Sequence, residues 1–127
     1  HSLSLDSLRG RLVLLEFYAP QNTNFQRETE ARKTFYETFA EQPFSFVSLS
    51  LEPDTLLNEA FWESYDFPGE RVILSGAARD DLVSRYNINV IPTRFLIDQD
   101  GKIVGKYVGS TLPQLQNDVM VLLSESG

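Results

Sequence analysis

Residues 12–28 read Leu-Val-Leu-Leu-Glu-Phe-Tyr-Ala-Pro-Gln-Asn-Thr-Asn-Phe-Gln-Arg-Glu, and they join an apolar strand to a helix through a short loop. The apolar run Leu12–Tyr18 is typical of a strand covered on both faces, and Pro20 ends it. A helix is predicted to begin at Thr23, which fits a capping box with Gln26. A buried strand that leads into a helix indicates an α/β fold.

The remaining chain continues this alternation of strands and helices. Asp66–Gly69 is predicted as a turn, Asp98–Gly101 as a hairpin turn, and Thr111 with Gln114 as a second capping box. No repeat, low-complexity tract or linker is visible. The later strands are predicted at Phe44–Leu51, Arg71–Leu74, Thr93–Ile97 and Lys102–Val108, and the helices at Thr23 to about Gln42, Thr55–Tyr65, Gly76–Tyr86 and Leu112–Leu123.

The chain has 127 residues, of which 42% are hydrophobic, and this size fits one domain spanning residues 1–127. It begins with His1 rather than methionine and enters its first strand by residue 12, so we expect a domain cut from a longer protein. No apolar run of about 18 residues is present, and we expect no direct insertion of this domain into a membrane.

The net charge is −7, and the basic residues are scattered along the chain. Nucleic acid and anionic membranes are therefore not expected partners, because both require locally gathered positive charge. The chain has no cysteine, and its single histidine is His1. No Ser-His-acid set can be assembled, and we expect neither a metal nor a cofactor.

The segment from Phe17 to Glu28 resembles the sequence that leads into the active site in the thioredoxin superfamily, Phe-Trp-Ala-x-Trp-Cys-x-x-Cys-Arg-x-Glu. The matching residues are Phe17–Ala19 and Glu28. This register places Asn22 and Phe25 where the family has its two cysteines. Neither a carboxamide nor a phenyl ring can form a mixed disulfide, so thiol-disulfide exchange by this chain is excluded.

The segment Tyr86–Val104 resembles the signature Tyr-x-Val-x-x-x-Pro-Thr-x-Phe-Leu-Ile-Asp-x-Asp-Gly-Lys-Ile-Val of the TlpA/ResA and peroxiredoxin-like branch. Gly109 and the last helix extend the likeness over the whole chain. The resemblance implies a thioredoxin-like fold, with a central mixed β-sheet flanked by helices on both faces. It also implies a cis peptide bond before Pro92, exposed backbone beside it that pairs with extended peptides, and a place in the periplasm or another extracytoplasmic part of the cell envelope.

Glu16 is a carboxylate inside an otherwise apolar strand. It stands six residues before Asn22, where thioredoxins place a buried acid that relays a proton to the second thiol. Since no thiol is present, we interpret Glu16 as a buried structural acid whose partner is Arg94 or Ser48. Its pKa is expected to be raised unless Arg94 reaches it.

A candidate binding surface is predicted at the place of the lost thiols. Its aromatic neighbours are expected to be Trp62, Phe67 and Tyr86. Helix capping is the favoured explanation of the polar loop residues, and core packing is the commoner explanation of the aromatic ones. The candidate residues are Tyr18, Gln21, Asn22, Thr23, Asn24, Phe25, Ile91 and Pro92.

The sequence therefore indicates a redox-inactive thioredoxin-like domain that acts as a binding or structural module of a cell-envelope protein. The expected partner is an extended peptide or a partner protein. Two alternatives remain open. One is an enzyme of non-thiol chemistry that uses Glu16 or Tyr18 as its acid or base. The other is a degenerate oxidoreductase domain within a larger redox protein.

Overall fold

A computed structural model describes residues 10–64 and 69–126. The strands are β1 (Leu12–Tyr18), β2 (Phe44–Ser50), β3 (Glu70–Ile73), β4 (Thr93–Ile97) and β5 (Ile103–Val108). The helices are α1 (Thr23–Arg27), α2 (Thr29–Thr38), α3 (Thr55–Ser64), α4 (Gly76–Arg85) and α5 (Leu112–Ser126). Strands and helices alternate except that α1 is followed directly by α2 and β4 directly by β5, and the sequence predicts this order apart from the break between α1 and α2.

The five strands form one mixed sheet in the order β3-β2-β1-β4-β5. Strand β1 runs parallel to β2, and β2 runs parallel to β3. Strand β4 runs antiparallel to both β1 and β5. The tight turn between β4 and β5 is closed by a hydrogen bond from Gly101 N to Asp98 O (3.0 Å), with Gly101 at φ +86°. The predicted hairpin is therefore confirmed.

The core lies on both faces of β1, because alternate residues of a strand point to opposite sides. Leu12 and Leu14 pack with aromatic residues of α2 and with apolar residues of α5 on one face. Val13, Leu15 and Phe17 pack on the other face, where α4 contributes partly buried side chains. All seven residues of β1 are buried, which confirms that helices cover both faces of the sheet.

The long helix predicted from Thr23 is interrupted at Glu28, and this expectation was wrong. The N–H of Glu28 donates to Phe25 O (3.1 Å), which closes a tight turn, and the Glu28 side chain is buried. Its carboxylate accepts a hydrogen bond from Arg94 Nη2 (2.9 Å) on β4. A contact with a distant strand therefore accompanies the break between α1 and α2.

Other differences are small. The capping box predicted at α5 is absent: Thr111 Oγ1 donates to Gly109 O (3.4 Å), and Gln114 Nε2 donates to Asp118 Oδ1 (3.0 Å). The predicted helix end at Tyr65 and most of the turn Asp66–Gly69 lie outside the described residues. Within the ranges 10–64 and 69–126, no helix is both long and apolar enough to span a membrane.

Candidate functional site

The two sequence segments predicted to form the site meet at one end of the sheet. Phe17, near the end of β1, pairs with Thr93, the first residue of β4. The Ile91–Pro92 peptide bond just before β4 is cis. Pro92 O accepts a hydrogen bond from Gly109 N (2.8 Å), which ties this loop to the end of β5. The loop that follows β1 therefore lies beside the Ile91–Pro92 backbone.

Asn22 is the N-cap of α1, and the predicted capping box at Thr23 was wrong. Asn22 Oδ1 accepts a hydrogen bond from Phe25 N (2.9 Å). Gln26 Nε2 donates to Pro20 O (2.9 Å) instead of to the helix start. Thr23 is exposed. The asparagine at the position of the first thiol thus has a local structural role.

Two further residues of the predicted surface, one in the loop and one in α1, are accessible to solvent. Asn24 is exposed, and so is Gln21. Gln21 Nε2 donates a hydrogen bond to Glu52 Oε1, which connects the loop after β1 to the loop after β2. These polar side chains, with the half-buried Ile91, form the accessible part of the predicted surface.

An aromatic cluster fills the place of the second thiol; it consists of Tyr18, Phe25, Phe61 and Trp62. The ring of Phe25 is 1% exposed and lies 4.8 Å from the ring of Tyr18 and 5.5 Å from that of Phe61, centroid to centroid. Trp62 Nε1 donates a hydrogen bond to Tyr18 Oη (3.0 Å). The side chains of Phe25 and Tyr18 are therefore buried and are not available to a ligand. A ligand at this surface would contact the Ile91–Pro92 backbone and the polar side chains of the loop.

The neighbours expected for this cluster are only partly found there. Trp62 is in contact with Tyr18, as predicted. Tyr86 instead packs on the other face of the sheet, 5.5 Å from the ring of Phe17. Phe67 lies outside the described ranges. The sequence-based prediction did not place Phe61 of α3 in this cluster, although its ring packs against the rings of both Tyr18 and Phe25.

A buried ion network lies beneath the aromatic cluster; it consists of Glu16, Glu28, Arg32, Arg94 and the hydroxyl of Tyr36. Arg32 donates to Glu16 through Nη2 (2.5 Å) and Nε (3.1 Å). Arg94 donates to Glu16 through Nε (2.7 Å) and to Glu28 through Nη2 (2.9 Å). Tyr36 Oη donates to Glu16 Oε1 (3.3 Å). The two negative charges of the carboxylates therefore offset the two positive charges of the guanidiniums in the protein interior.

The network fixes the charge state of Glu16, which is 2% exposed. Burial by itself raises the pKa of this carboxyl group, but the charges and hydrogen bonds of Arg32 and Arg94 outweigh it. The pKa of Glu16 is lowered to about 2. The predicted pairing of Glu16 with Arg94 is confirmed. Ser48 lies opposite Glu16 on β2, but the hydrogen bonds to the Glu16 side chain come from Arg32, Arg94 and Tyr36.

Neither proposed acid or base is suited to proton transfer near neutral pH. Glu16 is a carboxylate held ionised by two guanidiniums, so it is a weak base. Burial raises the pKa of Tyr18 to about 12, and its hydroxyl is engaged by Trp62. A general acid or base works best with a pKa near the working pH, so this geometry disfavours the non-thiol enzyme.

Arg32 connects the aromatic cluster to the ion network. Its guanidinium carbon lies 4.3 Å from the centroid of the Phe25 ring while its nitrogens hold Glu16. Sequence reasoning missed this residue. One available signal was its position on the inward face of α2, one turn before the buried Phe35 and Tyr36. The described residues hold no group of three or more acidic, histidine or cysteine side chains placed to bind a metal.

Comparison with known proteins agrees with this architecture. The family model described as thioredoxin-like matches residues 10–103. The thiol-disulfide oxidoreductase ResA of Bacillus cereus is 27% identical over 115 residues, which cover 90% of this chain and 65% of the relative. ResA of Halalkalibacterium halodurans is 25% identical over 122 residues, covering 96% and 68%. The chain thus spans about two thirds of the length of these relatives.

Solved structures show the same fold. A putative thiol:disulfide interchange protein DsbE from Chlorobium tepidum superposes with a TM-score of 0.81 at 20% identity, covering 95% of this chain and 86% of that one. The thioredoxin domain of a thiol-disulfide oxidoreductase from Bacteroides vulgatus gives a TM-score of 0.84 at 24% identity, covering 97% and 86%. These similarities establish the predicted thioredoxin-like fold.

Proposed function

Because the chain belongs to the thioredoxin-like family and has no cysteine, we propose that it is a redox-inactive module that binds an extended segment of a partner protein. The binding surface is the Ile91–Pro92 backbone together with residues 19–24, which form the loop after β1 and the start of α1. The partner segment pairs with the backbone as an added strand, a recognised mode of peptide binding.

The observation that supports this proposal most directly is the state of the Ile91 backbone. In the described part of the chain its N–H and C=O have no hydrogen-bond partner, while Val90 O accepts from Thr93 Oγ1 (2.6 Å) and Pro92 O from Gly109 N. The neighbouring Val90 side chain is 41% exposed. A free donor and acceptor beside an exposed apolar side chain suit an extended segment.

The substitutions at the two cysteine positions agree with a binding role. Asn22 caps α1 and Phe25 packs into the aromatic cluster, so the loop keeps its shape without a disulfide or a thiolate. The contact between the partner segment and the Ile91–Pro92 backbone is small, so the affinity for an isolated segment should be weak. The family resemblance favours an extracytoplasmic location in the cell envelope. If the full-length protein carries disulfide chemistry, its thiols belong to another part of the polypeptide.

Amide NMR shifts on addition of a reduced and carboxymethylated unfolded protein test the proposal, since this probe offers extended chain without thiols. We expect shifts clustered at residues 18–25 and 90–93. Val90→Asp should weaken them, whereas Leu56→Asp, at a side chain 77% exposed on α3, should not. Shifts centred on Gln116 and Met120 of α5 would show that the domain works through another face.

A further inference from the structure

Asn22 has one hydrogen-bonding group that the fold does not use. Its backbone N–H donates to Ala19 O (3.0 Å), and its C=O accepts from Gln26 N (3.0 Å). Its side-chain oxygen Oδ1 accepts from Phe25 N (2.9 Å). Among the described residues, none accepts a hydrogen bond from Asn22 Nδ2. The two N–H donors of this side chain are therefore available.

The hydrogen bond to Phe25 fixes the orientation of the Asn22 carboxamide. A backbone N–H bonds only to an acceptor, so the atom that faces Phe25 N is the oxygen of the carboxamide and not its nitrogen. Oxygen and nitrogen stand on different arms of a planar carboxamide, so the NH2 group is directed away from Phe25 N. Asn22 is half-buried. The same contact that caps α1 therefore also holds a donor in place.

This donor lies near the free backbone of Ile91. Strands β1 and β4 are antiparallel, with Phe17 opposite Thr93. In an antiparallel pair, the residues that follow one strand run alongside the residues that precede the other, so Ala19 lies near Ile91. The hydrogen bond from Asn22 N to Ala19 O then holds Asn22 at this end of the sheet.

The other amide side chains of this segment are less suited to bind a partner. Gln21 and Gln26 already donate to acceptors within the fold. Asn24 is exposed, so its amide is hydrated and gains little when a ligand replaces water. Asn22 combines a half-buried position with uncommitted donors.

We propose that Asn22 Nδ2 donates a hydrogen bond to a backbone carbonyl oxygen of the bound segment, an inference that rests on the proposed function. An extended segment that pairs with Ile91 satisfies one of its carbonyls there, and a neighbouring carbonyl loses water without gaining a donor. The Asn22 amide supplies that donor. Every residue carries a backbone carbonyl, so this contact selects extended chain and not a particular side chain.

The side-chain NH2 signals of Asn22 in proton–nitrogen correlation NMR spectra test the contact directly. One probe is the reduced and carboxymethylated unfolded protein. The other is an acetylated and amidated peptide of valine and lysine, whose only acceptor oxygens are backbone and terminal amide carbonyls. Both probes should shift the NH2 signals of Asn22, and those of the exposed Asn24 should move less.

Asn22→Asp separates the donor from the cap. Aspartate caps a helix as well as asparagine does, so the unfolding midpoint should not fall. A carboxylate has no N–H and repels a carbonyl oxygen, so the affinity for both probes should fall about fivefold or more, the loss expected for one hydrogen bond. Asn24→Asp introduces the same charge in α1 and is the reference for this comparison.

The outcomes distinguish this contact from the proposed function. If neither probe shifts the wild-type amides, the proposed function and the role of Asn22 both fail. If the wild type binds both probes while the Asn22 NH2 signals stay in place, only the role of Asn22 is overturned. Equal affinities of Asn22→Asp and Asn24→Asp would overturn it too. A loss confined to the carboxymethylated protein would also do so, because the acceptor would then be a side chain.

Discussion

Replacing Glu16 with leucine should destabilise the fold severely, because this carboxylate holds two buried guanidiniums. Arg32 and Arg94 both donate to it, and Arg94 also donates to Glu28. Loss of one member of a buried ion pair strands the other charge, which costs about 3–5 kcal/mol. We therefore expect Glu16→Leu to lose about 3–5 kcal/mol of unfolding free energy near neutral pH.

The pKa of Glu16 gives a second route to this magnitude. The pKa falls from its ordinary 4.5 to about 2 in the folded protein. At 1.36 kcal/mol for each tenfold change in proton affinity, the ionised form stabilises the fold by about 3 kcal/mol. Because the folded pKa is the lower one, this stabilisation is present above pH 4.5 and is lost as the pH falls towards 2.

Guanidinium chloride denaturation of both proteins between pH 7 and pH 2 measures the effect. The stability difference between the wild type and Glu16→Leu should be largest above pH 5 and should shrink towards pH 2. Combining Glu16→Leu with Arg32→Leu should recover part of the loss, since one of the two buried guanidiniums that lost the Glu16 carboxylate is then removed.

Arg85→Leu is the control, because it breaks an exposed ion pair with Asp81 (2.8 Å) and should cost less than about 1 kcal/mol. A Glu16→Leu protein within 1 kcal/mol of the wild type at pH 7 would refute the reasoning. So would a stability difference that does not change with pH.

Three further outcomes follow from the site. Phe25→Ala should lose about 3–5 kcal/mol of unfolding free energy in thermal or chemical denaturation, because it removes a buried ring from the aromatic cluster. Leu56→Ala, at an exposed side chain, should change the stability little. Equal effects of the two substitutions would contradict the burial of Phe25. Asn22→Ala should cost about 1 kcal/mol through loss of the cap, against a negligible change for Asn24→Ala, and similar losses for both would show that Asn22 does not cap α1. The purified protein should neither reduce insulin disulfides nor decompose peroxide, since both reactions need a thiolate, and turnover that persists after removal of contaminating oxidoreductases would contradict this.

The elements that sequence reasoning located well are those with a strong local pattern. The apolar run of β1 and the strand Thr93–Ile97, which is followed by a tight hairpin turn, have the predicted bounds. The break at Glu28 was missed because Arg94 is 66 residues away in the chain. No helix-propensity argument contains that contact, and tertiary contacts override propensity.

In the candidate site, too, the residues identified correctly were those with a clear signal in their own strand, and those missed depend on contacts between distant parts of the chain. Glu16 was identified as a buried acid from its place in an apolar strand, and Arg94 was identified as a partner from the expected pairing of the two strands. Arg32 was missed because a charged residue on an amphipathic helix normally belongs to the exposed face. The burial of Phe25 depends on Phe61, which lies 36 residues later in the sequence, on α3.

The stacking of Arg32 on the Phe25 ring determines what a thiol restored at position 25 would meet. Phe25→Cys would remove the ring that lies against the Arg32 guanidinium and would leave Glu16 held ionised by two arginines. Such a carboxylate has no affinity for a proton near neutral pH, so it could not serve a thiol as a relay. The contact between Arg32 and Phe25 therefore makes the phenyl ring at position 25 part of what holds the fold together, and a thiol introduced there would replace a packed ring in the interior.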